Sequence, residues 1–109
     1  MQARHTLIEA KDWDCIWCYY TKTQLLFKLA IGDQAPHDGA RSYNLGAADI
    51  TSLSKLLEPE GGPVQLFLDG ANTMGATLCR NGDYIDIEGE IIGDADARFT
   101  VKFLLDCLA

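Results

Sequence analysis

The sequence predicts a single α+β domain, residues 1–109, with one helix packed on one face of a mainly antiparallel sheet. The chain is long enough for one domain with its own hydrophobic core. Short segments rich in aromatic and β-branched residues are separated by Gly, Pro, Asn and Asp, which is typical of strands joined by turns. Apolar side chains at helical spacing occur in residues 47–58. We therefore expect about six strands in the order β-β-α-β-β-β-β, because short connections favour antiparallel neighbours.

The first two predicted strands are residues 13–20 and 23–31, with a short turn at 21–22 between them. Both segments are rich in residues that favour strands, and their close spacing predicts a hairpin. In the second strand, apolar side chains such as Leu25 and Phe27 alternate with more polar ones. This alternation predicts a strand buried on one face.

The single predicted helix follows a long loop. Residues 32–46 contain Pro36 and several glycines, and loops of this length are often functional or mobile. Residues 47–58 then form the helix, with Asp49 as the expected N-cap and Pro59 just after its end.

Four further strands are predicted at residues 63–69, 75–80, 83–92 and 97–106. Asn81–Gly82 is the strongest hairpin signal in the chain, because a type I′ turn needs positive φ at both central residues. The last two strands each have one apolar face and one charged face. Residues 3–10 are compatible with an edge strand or with a helical turn.

The acidic net charge limits the kinds of molecule that the chain is expected to bind. The chain has 16 acidic and 9 basic side chains, a formal net charge of −7. A phosphate backbone or an anionic membrane would be repelled, so we expect neither nucleic acid nor membrane as a partner. The same charge would attract a basic partner, although acidity also serves solubility alone.

The expected location is the cytoplasm. The first residues form no apolar segment of the kind a secretory signal needs, and no apolar run is long enough to span a bilayer. The four cysteines are therefore expected to be reduced.

Cys15 and Cys18 form a CxxC motif, which in other settings binds zinc or works as a redox pair. The sequence has no second CxxC and no histidine pair at metal-ligand spacing. On a strand, positions i and i+3 face opposite sides, so the interpretation here is two buried thiols. We expect no metal and no cofactor.

The most informative polar feature is an acidic cluster in the C-terminal hairpins. Its members are Asp83, Asp86, Glu88, Glu90, Asp94 and Asp96, which fall within 14 residues that include no Lys or Arg. Like charges at this spacing repel each other. The functional interpretation is a docking patch for a basic partner. The simpler one is a solvated face whose charges deter edge-to-edge aggregation.

The second informative feature is aromatic. Trp13, Trp17 and Tyr19 alternate with Ile16 and Cys18 along the first predicted strand. If that face is exposed, its Trp and Tyr side chains would be interface anchors. If the helix and the long loop cover it, they belong to the core.

A possible pocket lies under the 32–46 loop, with His37, Asp38, Arg41 and Tyr43 at its mouth. A histidine beside a carboxylate could act as a general base. The chain has no nucleophile elbow, phosphate-binding loop or dinucleotide fingerprint, so nothing in the sequence requires an enzyme. His5, near the start of the chain, is expected to be solvated.

In size, acidity and α+β build the chain resembles bacterial immunity proteins, which neutralise a cognate toxin, often a basic nuclease, by tight binding. The resemblance implies a non-enzymatic inhibitor and carries over no residue role. In the hypothesis drawn from the residues themselves, the acidic cluster steers a basic partner and the aromatic residues supply affinity. Two alternatives stay open. One is a small-molecule-binding or catalytic domain that uses the pocket under the loop. The other is a homo-oligomer that pairs through a sheet edge or the aromatic strand.

Overall fold

In the part of the chain that the structure describes, the strands form two four-stranded antiparallel sheets, each followed by a short helix. The computed structural model describes residues 2–8, 10, 13–32, 42–67, 76–88 and 97–109, and for 42–44 the backbone alone. The first sheet contains β1 (Gln2–Thr6), β2 (Cys15–Thr21), β3 (Gln24–Ala30) and β4 (Ser42–Asp49). The helix α1 (Ile50–Ser54) and a 3₁₀ turn (Lys55–Leu57) follow it. The second sheet contains β5 (Val64–Leu66), β6 (Ala76–Asn81), β7 (Tyr84–Glu88) and β8 (Ala97–Thr100), and α2 (Val101–Leu108) follows it.

Among the described residues, a β-bridge joins the two sheets at each edge. Ile8, just after β1, exchanges backbone hydrogen bonds of 3.0 and 3.1 Å with Arg98 on β8. Ala47 on β4 exchanges bonds of 3.1 and 2.9 Å with Phe67, just after β5. These bridges close the eight described strands into a ring. Backbone groups at the sheet edges that would otherwise be open to another chain are thereby partly satisfied.

The two halves of the chain repeat the same contacts, although the sequence shows no repeat. The first N–H of α1, on Ile50, donates to the Thr23 carbonyl in the β2–β3 turn at 3.3 Å. The first N–H of α2, on Val101, donates to the Asp83 carbonyl in the β6–β7 turn at 2.9 Å. Each half is thus a four-stranded meander whose last strand runs into a helix tied to the central hairpin.

A single main core lies between the two sheets and is closed by the helices. Phe27 of the first sheet stacks on Phe99 of the second, with ring centroids 6.2 Å apart. Phe103 of α2 meets Phe99 edge-on at 5.5 Å. Each such burial contributes about 1.5–3 kcal/mol, so this aromatic row is a substantial link between the sheets and α2.

The predicted single sheet of about six strands, with a single helix, is wrong in its number of sheets and in its order. The observed order is β-β-β-β-α-β-β-β-β-α, with two sheets of four strands. The α+β class and the antiparallel pairing are confirmed. The undecided segment at residues 3–10 contributes most of β1, which pairs with β2.

The segment predicted as the last strand, residues 97–106, is a strand only as far as Thr100. The Thr100 hydroxyl then accepts a hydrogen bond from the Phe103 backbone N–H at 3.2 Å and caps α2. The apolar residues of this segment fit a strand and a helix equally well, and burial of Phe103, Leu104 and Cys107 selects the helix.

The segment predicted as loop and helix start is a strand. Residues 42–49 form β4 and pair with β3 through a bulge at Phe27 and Lys28. The Gly, Ala, Asn and Asp residues of β4 have weak strand preference, so its structure is imposed by its neighbours. The helix begins only at Ile50, and Asp49 holds the N-cap position without a side-chain hydrogen bond.

The predicted β6–β7 hairpin is present, but its turn is displaced by one residue. Asn81 pairs with Tyr84 as part of the ladder, so the turn residues are Gly82 and Asp83. Gly82 has a φ of 63°, a conformation that glycine adopts without strain. In the described part of the chain, no helix is long and apolar enough to cross a membrane.

Candidate functional site

The outer face of the second sheet, turned away from the main core, carries the described part of the acidic cluster. We call it the second-sheet face. Along β7, Tyr84, Asp86 and Glu88 point outward, while Ile85 and Ile87 are buried. Asp83 lies in the turn that leads into the strand. The remaining predicted members of the cluster, Glu90, Asp94 and Asp96, lie outside the described residues.

Asp86 is paired with a cation that the predicted cluster did not contain. Arg98 lies directly opposite Asp86 in the β7–β8 ladder, with Arg98 Nε 3.0 Å from Asp86 Oδ1. The contact is an ion pair and is not aligned as a hydrogen bond. The Asn81 amide donates to the other carboxylate oxygen, Oδ2, at 3.2 Å. Asp86 is therefore largely neutralised and is not available as a bare charge.

The guanidinium of Arg98 also lies over an exposed aromatic ring. Its Cζ atom is 5.5 Å from the centroid of Tyr84, which is 38% exposed. Cation–π contact and the Asp86 ion pair together hold Arg98 from two sides. The result is an ordered row of Tyr84, Arg98 and Asp86 across the second-sheet face.

Negative charge persists at both ends of β7. Asp83 and Glu88 are exposed, and among the described residues no Lys or Arg pairs with either of them. The nearby Arg80 is engaged elsewhere, because it donates to the Leu56 carbonyl at 2.8 Å and to the Gly82 carbonyl. The second-sheet face thus keeps exposed carboxylates beside its aromatic residue.

Cys79 lies on the same face, directly opposite Asp86 in the β6–β7 ladder. Burial, and then the negative charges of Glu88 and Asp86, raise the pKa of its thiol. All four cysteines are described, and Cys79 is the only one that is not buried. The Cys79 thiol is therefore the one cysteine side chain on this face that a thiol reagent can modify.

The predicted aromatic stripe does not form one face. Trp17 and Tyr19 point outward from the first sheet and cluster with Cys15 and Ala30. Trp13 instead packs against the main core. The chain bends at Asp14 before β2 begins, so the alternation of the strand does not extend back to Trp13.

Trp17 and Tyr19 are less exposed than an open stripe would be. Trp17 is 8% exposed, and Tyr19 is half-buried, with the two rings stacked 6.4 Å apart. Their polar atoms, Trp17 Nε1 and Tyr19 Oη, are closed off from solvent and have no hydrogen-bond partner in the described chain. An unsatisfied buried donor costs about 1–3 kcal/mol, so this arrangement carries a real penalty.

The CxxC motif is split between the two sides of the first sheet. Cys18 belongs to the main core, and Cys15 belongs to the outer cluster with Trp17. The prediction of two buried thiols on opposite faces is confirmed. No group of three or more His, Cys, Asp or Glu side chains in the described residues is arranged to hold a metal ion.

The alternative pocket falls mostly on residues that are not described. His37, Asp38 and Arg41 lie outside the described ranges, and Tyr43 is described only as a backbone position in β4. Part of the segment predicted as a loop is therefore a strand that pairs with β3.

His5 is partly buried, although its position near the start of the chain predicts a solvated side chain. Its ring stacks on Phe103 at 5.2 Å, and its Nε2 is buried without a partner in the described chain. Burial, and then the positive charge of Arg4, lower its pKa, while Asp106 acts in the opposite direction. Only the helix α2, which the sequence did not predict, places an aromatic ring over this histidine.

In comparisons with protein-family models, with curated proteins and with solved structures, the chain matched none.

Proposed function

We propose that the chain is a protein-binding domain that docks a basic partner on its second-sheet face. One observation carries the proposal. Tyr84 is 38% exposed beneath the guanidinium of Arg98, and exposed carboxylates of Asp83 and Glu88 lie at both ends of the same strand. An aromatic residue within a charged rim is the composition typical of binding surfaces.

The Arg98–Asp86 ion pair supports the proposal because it orders the face before any partner arrives. Arg98 is fixed both by Asp86 at 3.0 Å and by the Tyr84 ring at 5.5 Å. Side chains that are already ordered lose less conformational freedom on binding, so more of the contact energy appears as affinity. Tyr and Arg are also the residues most often found as binding hot spots.

The charge of the chain supports a basic partner. The net charge is −7, and the exposed carboxylates Asp83 and Glu88 lie beside the Tyr84 anchor. Such a field speeds the encounter with a cationic surface and weakens with added salt. An immunity or inhibitor role against a basic toxin or nuclease is the most concrete form of this proposal.

The test is affinity capture with the full chain, followed by a binding measurement on the purified partner. Tyr84→Ala removes the aromatic anchor, and Glu88→Gln removes one exposed charge without changing shape. Tyr20→Ala and Glu60→Gln are the matched controls, since Tyr20 is 47% exposed at the end of β2 and Glu60 is exposed after the 3₁₀ turn.

The proposal requires that a basic protein be captured by the wild-type chain and by both controls. The Tyr84→Ala variant should capture less of the partner than the wild-type chain does. The Glu88→Gln variant should associate with the partner more slowly at low salt. If Tyr84→Ala and Tyr20→Ala captured equal amounts of the partner, the binding surface would lie elsewhere on the chain. If the captured protein were acidic, the charge argument would be wrong.

A further inference from the structure

We propose that two copies of the chain form a dimer by exchanging halves, so that the first half of each copy packs on the second half of the other. The first half is residues 2–57, from β1 to the 3₁₀ turn, and the second half is residues 64–109, from β5 to the end of the chain. Residues 58–63, which join them, are the hinge. The partner is a second copy of this chain, and the dimer does not depend on the proposed docking surface.

Each half keeps its own hydrogen-bonded framework. Every described strand ladder pairs two strands of the same half. Each helix is likewise tied to the central hairpin of its own half. Among the described residues, the backbone hydrogen bonds between the halves are the four of the Ile8–Arg98 and Ala47–Phe67 bridges. Separating the halves therefore breaks no described ladder, and the same four bonds form again with a second copy.

The contacts between the halves are reciprocal. Ile8 follows the first strand of the first half and bonds to Arg98 on the last strand of the second half. Phe67 follows the first strand of the second half and bonds to Ala47 on the last strand of the first half. A surface that pairs with its own equivalent is the kind that joins identical chains in a symmetric dimer. The interface inside one chain is therefore one that two chains form equally well.

The interface also buries apolar surface that an opened chain exposes. Phe27 of the first half stacks on Phe99 of the second at 6.2 Å, and His5 stacks on Phe103 at 5.2 Å. Exposure of these rings to water is unfavourable, so an opened chain closes either on itself or on a second copy. A short linker gives closure within one chain an effective concentration of about 1 mM. Exchange should therefore compete as the chain concentration approaches that range.

The hinge decides between the two closures. In the monomer it folds back on the 3₁₀ turn, and the Gly61 N–H donates to the Glu58 carbonyl at 2.9 Å. A Cβ on Gly61 would overlap the backbone carbonyl of Lys55, so this compact bend requires glycine. Fully extended, residues 58–63 span about 20 Å, and an extended hinge does not need the bend. A side chain at Gly61 should thus destabilise the monomer more than the exchanged dimer.

The first experiment measures the molar mass of the full chain by size-exclusion chromatography with light scattering. The chain is refolded from denaturant at concentrations up to about 1 mM, the range in which exchange should compete. Gly61→Ala should form dimers at a concentration at least about ten-fold lower than the wild type does. Gly32→Ala adds a methyl group at a glycine with a φ of 90° outside the hinge, and it should dimerise as the wild type does.

The second experiment distinguishes an exchanged dimer from two complete chains that pair by an outer surface. Ala47 and Phe67 lie directly opposite each other in the β4–β5 bridge, at a spacing that suits a disulfide. One chain carries Ala47→Cys and the other Phe67→Cys, each together with Cys79→Ser, and the two are refolded together with oxidised glutathione. Exchange brings the two introduced thiols together and yields a covalent dimer with one copy of each chain. Either chain refolded alone is the control and should yield no covalent dimer.

Two results would overturn the proposal. One is that the wild type and Gly61→Ala both stay monomeric up to about 1 mM, the concentration at which exchange should compete. The other is that dimers form but the two cysteine variants do not become linked, which would mean that complete chains pair by an outer surface. If Gly61→Ala failed to fold, the cross-linking of chains with the wild-type hinge would still decide.

Discussion

The carboxylate of Asp86 and the guanidinium of Arg98 face each other across β7 and β8, with Nε and Oδ1 3.0 Å apart. Their side chains are only 21% and 24% exposed, so the pair is partly shielded from water. The ion pair places the Arg98 guanidinium over the Tyr84 ring and neutralises the charge at the centre of β7.

Breaking this pair should destabilise the fold. Asp86→Asn leaves Arg98 without that carboxylate, and we expect the free energy of unfolding to fall by roughly 1–2 kcal/mol. Chemical denaturation measures the change. Glu88→Gln is the control, because Glu88 is exposed on the same strand. It should change the free energy of unfolding by less than about 0.5 kcal/mol. Equal effects of the two variants would show that the Asp86–Arg98 contact contributes nothing.

Stability should decrease in mild acid because of His5. Burial lowers the pKa of His5 below its ordinary value of 6.5, so the unfolded state takes up a proton before the folded state does. The contribution of neutral His5 is complete above pH 6.5 and is lost as the pH falls through the range between the two pKa values. Denaturation curves of the wild type and His5→Gln, measured between neutral and mildly acidic pH, test this.

His5→Gln should have a flatter pH dependence, because only the carboxylates and the second histidine of the sequence, His37, are left to titrate. If the free energy of unfolding of His5→Gln falls with pH as steeply as that of the wild type, groups other than His5 cause the pH dependence. Phe103→Leu keeps the histidine and removes the stacked ring, 5.2 Å away, and should bring the His5 pKa closer to its ordinary value.

Cys79 should be the single thiol that reacts in the native protein. The other three cysteines are buried, and Cys79 is half-buried on the second-sheet face. Burial and the neighbouring carboxylates raise the pKa of the Cys79 thiol above the ordinary value of 9.0. Alkylation should therefore be slow at neutral pH, and its rate should still be increasing when the pH passes 9.0. Mass spectrometry should find one adduct per chain, and none for Cys79→Ser under native conditions.

Gly46 should tolerate no side chain. A Cβ at this position would lie 2.8 Å from the Cβ of Leu66, and the glycine has a φ of 143°. Gly32→Ala is the matched control, because Gly32 has a φ of 90° but no atom of the described residues lies within 4 Å of such a Cβ. Thermal unfolding should show Gly46→Ala to be less stable than Gly32→Ala by roughly 1–3 kcal/mol. Equal losses would mean that close packing of β4 on β5 is unimportant.

Local signals were predicted well from the sequence. The β2–β3 hairpin and the β6–β7 hairpin both follow from strand-forming segments separated by a two-residue turn. The features that depend on distant partners were not predicted. β4 has weak strand preference and forms because β3 pairs with it, and the Ile8–Arg98 bridge joins opposite ends of the chain.

The same limit applies to the sites. The acidity of β7 is visible in the sequence, but its neutralisation at Asp86 depends on Arg98, which lies on another strand. Alternation along the strand predicts Trp17 and Tyr19 either as interface anchors or as core residues, and does not choose between them. Their buried donors became evident only once the packing of the first sheet was known. Residues from Val101 onward were predicted as a strand but form a helix, because their apolar run fits both periods.

The most direct test of the proposed docking surface is the affinity of the captured partner for the wild-type chain and for Tyr84→Ala, measured at several salt concentrations. We expect Tyr84→Ala to bind at least about ten-fold more weakly, as truncation of an anchor residue does, while Tyr20→Ala is unchanged. The wild-type association rate should fall as salt increases. Unchanged affinity in Tyr84→Ala, together with a salt-independent association rate, would contradict the account.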